Sequence, residues 1–117
     1  MAHNFKELII WRDSIELTID ILNLTRKFSS EEKSLGNQMI RSAVSIPSNI
    51  AEGSAYTTPK KFQYYLDISL GSSFELESQL IIAARLNLGE HDFISECISR
   101  LNSIQRRIRV FRKTLQN

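Results

Sequence analysis

One cysteine, two prolines, four glycines and two histidines are all that 117 residues contain of these types, and each scarcity removes a class of protein. A single cysteine, Cys97, cannot close an internal disulfide, which excludes a disulfide scaffold and agrees with a reducing compartment. Four scattered glycines make no phosphate-cradling loop. His3 and His91 are far apart, and neither has a His, Cys or carboxylate at ligand spacing, so no metal and no cofactor are expected. The Glu-x-x-His pairs of di-metal bundles are missing. Glu75 and Glu77 are two residues apart and leave a helix on different faces. Cys97 has no neighbouring base. These gaps leave nothing to build an active site from, and the expectation is a protein that is not an enzyme.

Long apolar runs are missing too. None approaches the ~18 residues that span a bilayer, and the opening Met1–Glu7 lacks the apolar core of a secretory signal. A cytoplasmic location without a membrane partner is expected. Sustained alternation of apolar and polar residues is also lacking, which argues against strands. No repeat, low-complexity tract or linker interrupts the chain, and 1–117 reads as a single domain.

What is present is helical periodicity. Four helices are expected, at about 7–28, 31–53, 59–87 and 90–115. The first carries two apolar seams on nearly opposite sides: Leu8, Trp11, Ile15, Thr18, Leu22, Thr25, and Ile10, Ser14, Leu17, Ile21, Leu24, Phe28. One seam suffices for a monomeric bundle, so two imply cover from both sides. Asn4 with Glu7 reads as a capping box, Thr58-Pro59 as a capping hydroxyl before a first-turn proline, and Gly53 and Gly89 as helix ends. The second helix has its core row at Met39, Ala43, Ile46 and Ile50. The third has Phe62, Leu66, Ser69, Ser73, Leu76, Leu80 and Ala83, with small residues that admit a close neighbour. The fourth has a nearly unbroken seam, Ile94, Cys97, Leu101, Ile104, Ile108, Phe111, Leu115, in which Cys97 is a small buried apolar residue. Short loops make neighbours antiparallel, so the expected fold is all-α, an up-down-up-down four-helix bundle.

Two features stand outside the packing pattern. Pro47 interrupts the second helix, where it removes a donor and crowds the carbonyl of Ala43. The helix is expected to continue with a local bend, and that carbonyl to find another donor. Around Pro47 runs a polar row, Arg41, Ser45, Asn49 and Glu52. It reads either as a structural network, with Arg41 and Glu52 neutralising each other or a neighbouring helix, or as a binding surface.

The second feature is charge. Residues 1–96 carry nine Lys/Arg against thirteen Asp/Glu, a net of −4, whereas 97–117 carry six Lys/Arg and no acid. On the fourth helix Arg106, Arg109 and Lys113 form an outward stripe, and Arg100, Arg107 and Arg112 flank the apolar seam. Cations near a helix C-terminus are favoured by its dipole. Six without an acid also suit sequence-indifferent contact with the phosphates of RNA or DNA. Both readings stand at this level, and Lys60 and Lys61 are expected close by.

Gln38, Arg41, the string Ser45-Ile-Pro-Ser-Asn-Ile-Ala-Glu-Gly53, Phe5-x-x-Leu8-x-x-Trp11 before it and Gly71-Ser-Ser-x-Glu75-Leu-Glu77-x-Gln79-Leu80 after it form a pattern. It resembles the four-helix bundle family encoded in intervening sequences of bacterial 23S ribosomal RNA genes. Ser14 and Ser69 depart from it, standing where alanine is more usual. The resemblance covers almost the whole chain and implies an antiparallel bundle assembled as a ring-shaped homopentamer. It also implies kinship with the accessory variability protein of diversity-generating retroelements, a basic pentamer that binds nucleic acid and a reverse transcriptase. The partners to expect are therefore further copies of the chain, RNA or DNA, and a protein. The alternative is a protein–protein scaffold that touches no nucleic acid.

Overall fold

A computed structural model of the chain describes residues 3–115. Its helices are α1 (Ile9–Thr25), α2 (Lys33–Ser54), α3 (Pro59–Arg85) and α4 (His91–Thr114), and no strand occurs among the described residues. They lie along one long axis in a body of 47 × 21 × 20 Å. The apolar rows meet at its centre: Leu17, Ile21, Met39, Ile46, Ile50, Leu66, Leu76, Leu80, Leu101 and Ile104 are all buried. Burying such side chains is worth about 1.5–3 kcal/mol each, which is why the periodic rows and not the loops decide the architecture.

Cross-helix contacts give the running order. Thr18 meets Ala43, and Thr25 lies beside Gly36. Ser69 meets Ile46, and Phe62 packs at Gly53. Arg100 reaches Asp20 and Arg107 reaches Asp13. Residue numbers rise on one helix as they fall on its neighbour in each case.

Helix boundaries depart from expectation for identifiable reasons. The first helix was expected from about residue 7, but Asn4 and Glu7 serve a separate one-turn 3₁₀ helix, Phe5–Glu7. Asn4 Oδ1 accepts from the Lys6 amide, and its Nδ2 donates to Glu7 Oε1 at 3.1 Å. Leu8 is extended, and α1 begins after it. At the other end the bonds tighten from i−4 to i−3, as Lys27 and Phe28 donate to Leu24 and Thr25, so the helix closes before Phe28. A second 3₁₀ turn, Ser30–Glu32, precedes α2, with Ser29 Oγ on Glu32 Oε1 at 2.6 Å. Thr58 does hold the N-cap of α3, but its side chain makes no capping bond. Asn87, not glycine, takes the left-handed position after α3 at φ 57°, while the amides of Leu88 and Asn87 bond the carbonyls of Ala83 and Ala84. That pair of bonds is a Schellman closure. Gly89, at φ 95°, then turns the chain into α4. Gly53 lies inside α2 and is no cap: a Cβ there would come within 2.8 Å of Phe62 Cδ1 and Tyr65 Cβ.

Pro47 is buried within an unbroken α2. The Ala43 carbonyl that it deprives of a donor lies 3.1 Å from Thr18 Oγ1 on α1, whose one proton it shares with Ser14 O at 2.7 Å. Ile46 O, one residue before the proline, accepts from Ser69 Oγ on α3 at 2.9 Å. The small residues of α3 divide by side. Ser69 and Ser72 bond α2, whereas Gly71 faces outward with nothing within 4 Å of a Cβ.

Candidate nucleic-acid interface

The end of α4 is held beside the start of α3. Gln63 Nε2 donates to the carbonyls of Leu115 and Arg112, at 2.7 and 3.3 Å. Arg112 closes the same seam with two bonds to the Asp67 carboxylate, at 2.7 and 3.0 Å. These hydrogen bonds outweigh slight desolvation and raise the Arg112 pKa above its ordinary value. On its other side α4 faces α1. Phe111 and Val110 with Leu8, Ile9 and Ile10 line an apolar groove of about 590 Å³, with Arg106 and Arg107 on its edge. The terminal stretch of α4 is thus wedged between the first turns of α1 and α3, and Lys60 and Lys61 are exposed on the adjoining surface.

The six cations of α4 do not form one set. Arg100 is half-buried against Asp20; burial opposes its charge, but the hydrogen bond and charge of Asp20 prevail and raise its pKa. Arg107 lies 3.4 Å from Asp13, and Arg112 is held by Asp67. Three of the six therefore bridge helices. Arg106 and Lys113 are exposed, and Arg109 places its guanidinium 5.5 Å from the centre of the Phe74 ring. The bridging could have been read from spacing. Asp13 and Asp20 are seven apart on α1, as Arg100 and Arg107 are on α4, so each pair occupies one face.

The polar row of α2 separates in the same way. Asn49 Nδ2 donates to Ser45 O at 2.8 Å and Ser45 Oγ at 2.9 Å, and Ser45 Oγ shares a 2.7 Å bond with Ser72 Oγ of α3. This is a network that joins α2 to α3. Arg41 and Glu52 lie outside it and do not neutralise each other: they are eleven residues apart, about 16 Å along the helix. Arg41 is exposed and in no ion pair among the described residues. Glu52 lies near Tyr65, and the neighbouring Tyr56 first and Glu52 next raise the Tyr65 pKa above its ordinary value. About 21 Å further along α3 from Tyr65, the amide oxygen of Gln79 is enclosed without a hydrogen-bond partner among the described residues.

Chemistry beyond binding finds little material. No three His, Cys, Asp or Glu among the described residues are placed to share a metal ion. Cys97 lies in the core, and burial lifts its thiol from 9.0 to about 11. No helix among the described residues is long and apolar enough to cross a membrane.

Sequence reasoning put Phe62 and Phe111 in apolar rows but passed over the tyrosines at this end. Phe62 is buried with Phe111 and the His3 ring set edge-on around it, and Tyr56, Tyr64 and Tyr65 form a second cluster facing outward. The signal was available: three tyrosines and two lysines fall within ten residues, 56–65.

No curated protein matches the chain. Its structure is similar to the crystal structure of a protein with unknown function from the S23 ribosomal protein family of Bacteroides thetaiotaomicron. The TM-score is 0.83 over 90% of this chain and 99% of that one, at 23% identity, a likeness of fold. The family model described as 23S rRNA-intervening sequence protein matches residues 6–110. With that much of the chain covered, the protein belongs to the 23S rRNA-intervening sequence protein family.

Proposed function

We propose that this chain is a non-enzymatic cytoplasmic module, an antiparallel up-down-up-down bundle that associates with further copies and offers its basic end to RNA or DNA. Self-association is supported by apolar side chains that one copy leaves in water. On α1 these are Ile9 and Ile19, with Ile15 and Leu22 half-covered; on α3 they are Ile81 and Ile82, with Leu86 at its C-cap. A ring-shaped homopentamer is the assembly that the family resemblance implies. Light scattering at micromolar concentration is expected to give several times 13.5 kDa, and a clean monomer refutes association.

One observation carries the nucleic-acid reading. Lys60 and Lys61 occupy the first turn of α3, which holds no acid. A helix dipole disfavours cations there, as surely as it favours Arg112 and Lys113 in the last turn of α4. Dipole bias accounts for one set and not the other, yet the fold brings both to one end. Binding is expected to fall steeply with salt and to discriminate little among sequences. Replacing Arg106, Arg109 and Lys113 with glutamine removes exposed charge without touching the core, so it is expected to weaken binding and leave the fold intact. No retention of RNA or DNA at low salt, or equal binding by the triple variant, refutes this reading.

The rival is a protein–protein scaffold. Its support is specific: three of the six α4 cations are committed to Asp13, Asp20 and Asp67, and the groove beside Arg106 is floored by apolar side chains. Such a scaffold would capture a protein partner through that groove with little dependence on salt.

A further inference from the structure

Tyr56, in the connection before α3, and Tyr64 and Tyr65 in its first turns lie outside the buried core, in which Phe62 is the ring at that level. Tyr56 and Tyr65 stack with ring centres 5.4 Å apart and planes 4° apart. Tyr64 stands edge-on to Tyr65 at 5.2 Å and is 59% exposed. Lys61 Nζ sits 4.8 Å from the centre of the Tyr56 ring. Helical spacing puts Lys60 and Lys61 four and three residues before Tyr64, on its own side of the helix.

The same outer face runs on through Ile68 and the open position at Gly71 to Phe74, over which Arg109 lies. From Tyr64 to Phe74 the helix rises about 15 Å. Asp67, three residues after Tyr64, is neutralised by Arg112. Exposed ring faces, ammonium groups one turn away and little opposing charge make a surface suited to a polyanion that carries flat apolar groups. Single-stranded nucleic acid is such a polymer. A duplex presents the same phosphates but keeps its bases stacked inside.

We propose that Lys60, Lys61 and Tyr64 form a docking platform for single-stranded nucleic acid, with a base stacked on Tyr64 and phosphates on the two lysines. The proposal rests on the nucleic-acid reading above and adds to it a place and a preference for unpaired strands. Neither stacking nor phosphate contact reads a 2′-hydroxyl, so RNA and DNA strands should serve alike.

Fluorescence anisotropy with labelled 15-nucleotide oligouridylate, oligothymidylate and a 15-base-pair duplex tests it. The single strands are expected to bind more tightly than the duplex. Tyr64→Ala is expected to weaken single-strand binding about five- to a hundredfold and leave the duplex unchanged, whereas Tyr64→Phe retains it. Lys60→Gln with Lys61→Gln is expected to lower the single-strand salt slope by roughly 1.4. Circular dichroism checks that each variant is folded, as substitution of an exposed tyrosine should allow. A wild type that prefers the duplex, a strict requirement for RNA, or unchanged binding by Tyr64→Ala overturns the platform. If Tyr64→Ala has no effect while the Arg106, Arg109, Lys113 variant binds weakly, the platform falls and the basic end stands. If the wild type binds none of the three probes, both fall.

Discussion

At one end of the bundle meet the start of α1, the end of α2, the start of α3 and the end of α4. At the other meet the end of α1, the start of α2, the end of α3 and the start of α4. The first end is aromatic and basic: Phe62, Phe111 and the His3 ring pack edge to face, three tyrosines lie outside them, and Lys60, Lys61 and Arg112 surround them. The second is richer in acid, with a hollow of about 360 Å³ edged by Asp20, Glu90, Asp92 and Glu96 and by one cation, Lys27, over Phe93 and Leu24. The same four helices make both ends, so the contrast lies in side chains and not in topology. It teaches that stability and surface chemistry are unevenly spread along the axis. Interlocked rings secure one end, and turn geometry at Asn87 and Gly89 shapes the other.

The largest effect expected from this contrast is on packing. Phe62→Ala removes a side chain that is 1% exposed and touches Gly53, Phe111 and His3, at a cost of about 3–5 kcal/mol. Phe93→Ala, at the acidic end, removes a half-buried ring and is expected to cost less than half of that. Urea melts of the two variants measure the difference, and equal losses would erase the contrast in packing.

Next in size is a pH effect nearer the acidic end. Cys97 ionises near 9.0 when unfolded and at about 11 when folded, mainly because burial disfavours the thiolate. The folded state therefore holds its proton longer. Its contribution is intact below pH 9 and is lost progressively between pH 9 and 11, reaching roughly 2–3 kcal/mol. Lysines and tyrosines titrate in the same range, so the readout is a difference. Cys97→Ala should show a shallower alkaline fall in stability than the wild type, and parallel curves would refute the assignment.

The two glycines sharpen the comparison further. Gly53→Ala forces a Cβ to 2.8 Å from Tyr65 Cβ, which has no free torsion to retreat along, and is expected to cost about 1–3 kcal/mol. Gly89→Ala meets only the movable end of Leu24 but must hold φ 95°, a strain of about 1–2 kcal/mol. Only the former should alter the near-ultraviolet dichroism, since only it disturbs stacked rings.

The smallest effect concerns the ion pairs. Arg112→Gln breaks a two-bond contact in which both side chains are about half exposed, so its cost should stay within ~1 kcal/mol and shrink in high salt. Thermal melts at low and high salt check it. A large salt-independent loss would mean that Arg112 holds the α3–α4 seam by packing instead.

Much of this was legible before any coordinate. The buried rows of α2, α3 and α4 follow period 3.6, a burial signal strong enough to survive without knowledge of neighbours. Pro47 within a continued helix, and a donor for the carbonyl of Ala43, follow from backbone accounting alone. What escaped depends on partners distant in sequence. Arg100 and Arg107 looked like free charge because Asp20 and Asp13 lie some eighty residues or more away. Thr58 holds the expected N-cap but not the expected capping bond, because residue type records a hydroxyl and not its rotamer. Asn87 was overlooked since glycine is the commoner left-handed residue and one stood two positions on. The tyrosines were missed because amphipathic residues fit neither the apolar nor the charged template.

The hydroxyl of Thr18 has a consequence of another kind. It lies 3.1 Å from the carbonyl of Ala43, to which Pro47 supplies no amide, while sharing its proton with Ser14 O at 2.7 Å. Thr18→Val alone removes the longer branch of a proton shared with Ser14 O, a loss of about 0.5–1.5 kcal/mol. In a chain where residue 47 is alanine, the helix's own amide would satisfy the acceptor, and the same change at residue 18 would be nearly silent. Two positions on different helices, linked through the backbone of a third residue, are thus bound into one evolutionary unit. A lineage can lose the hydroxyl cheaply only after it has lost the proline, so the order of substitution, and not merely the final pair, is constrained.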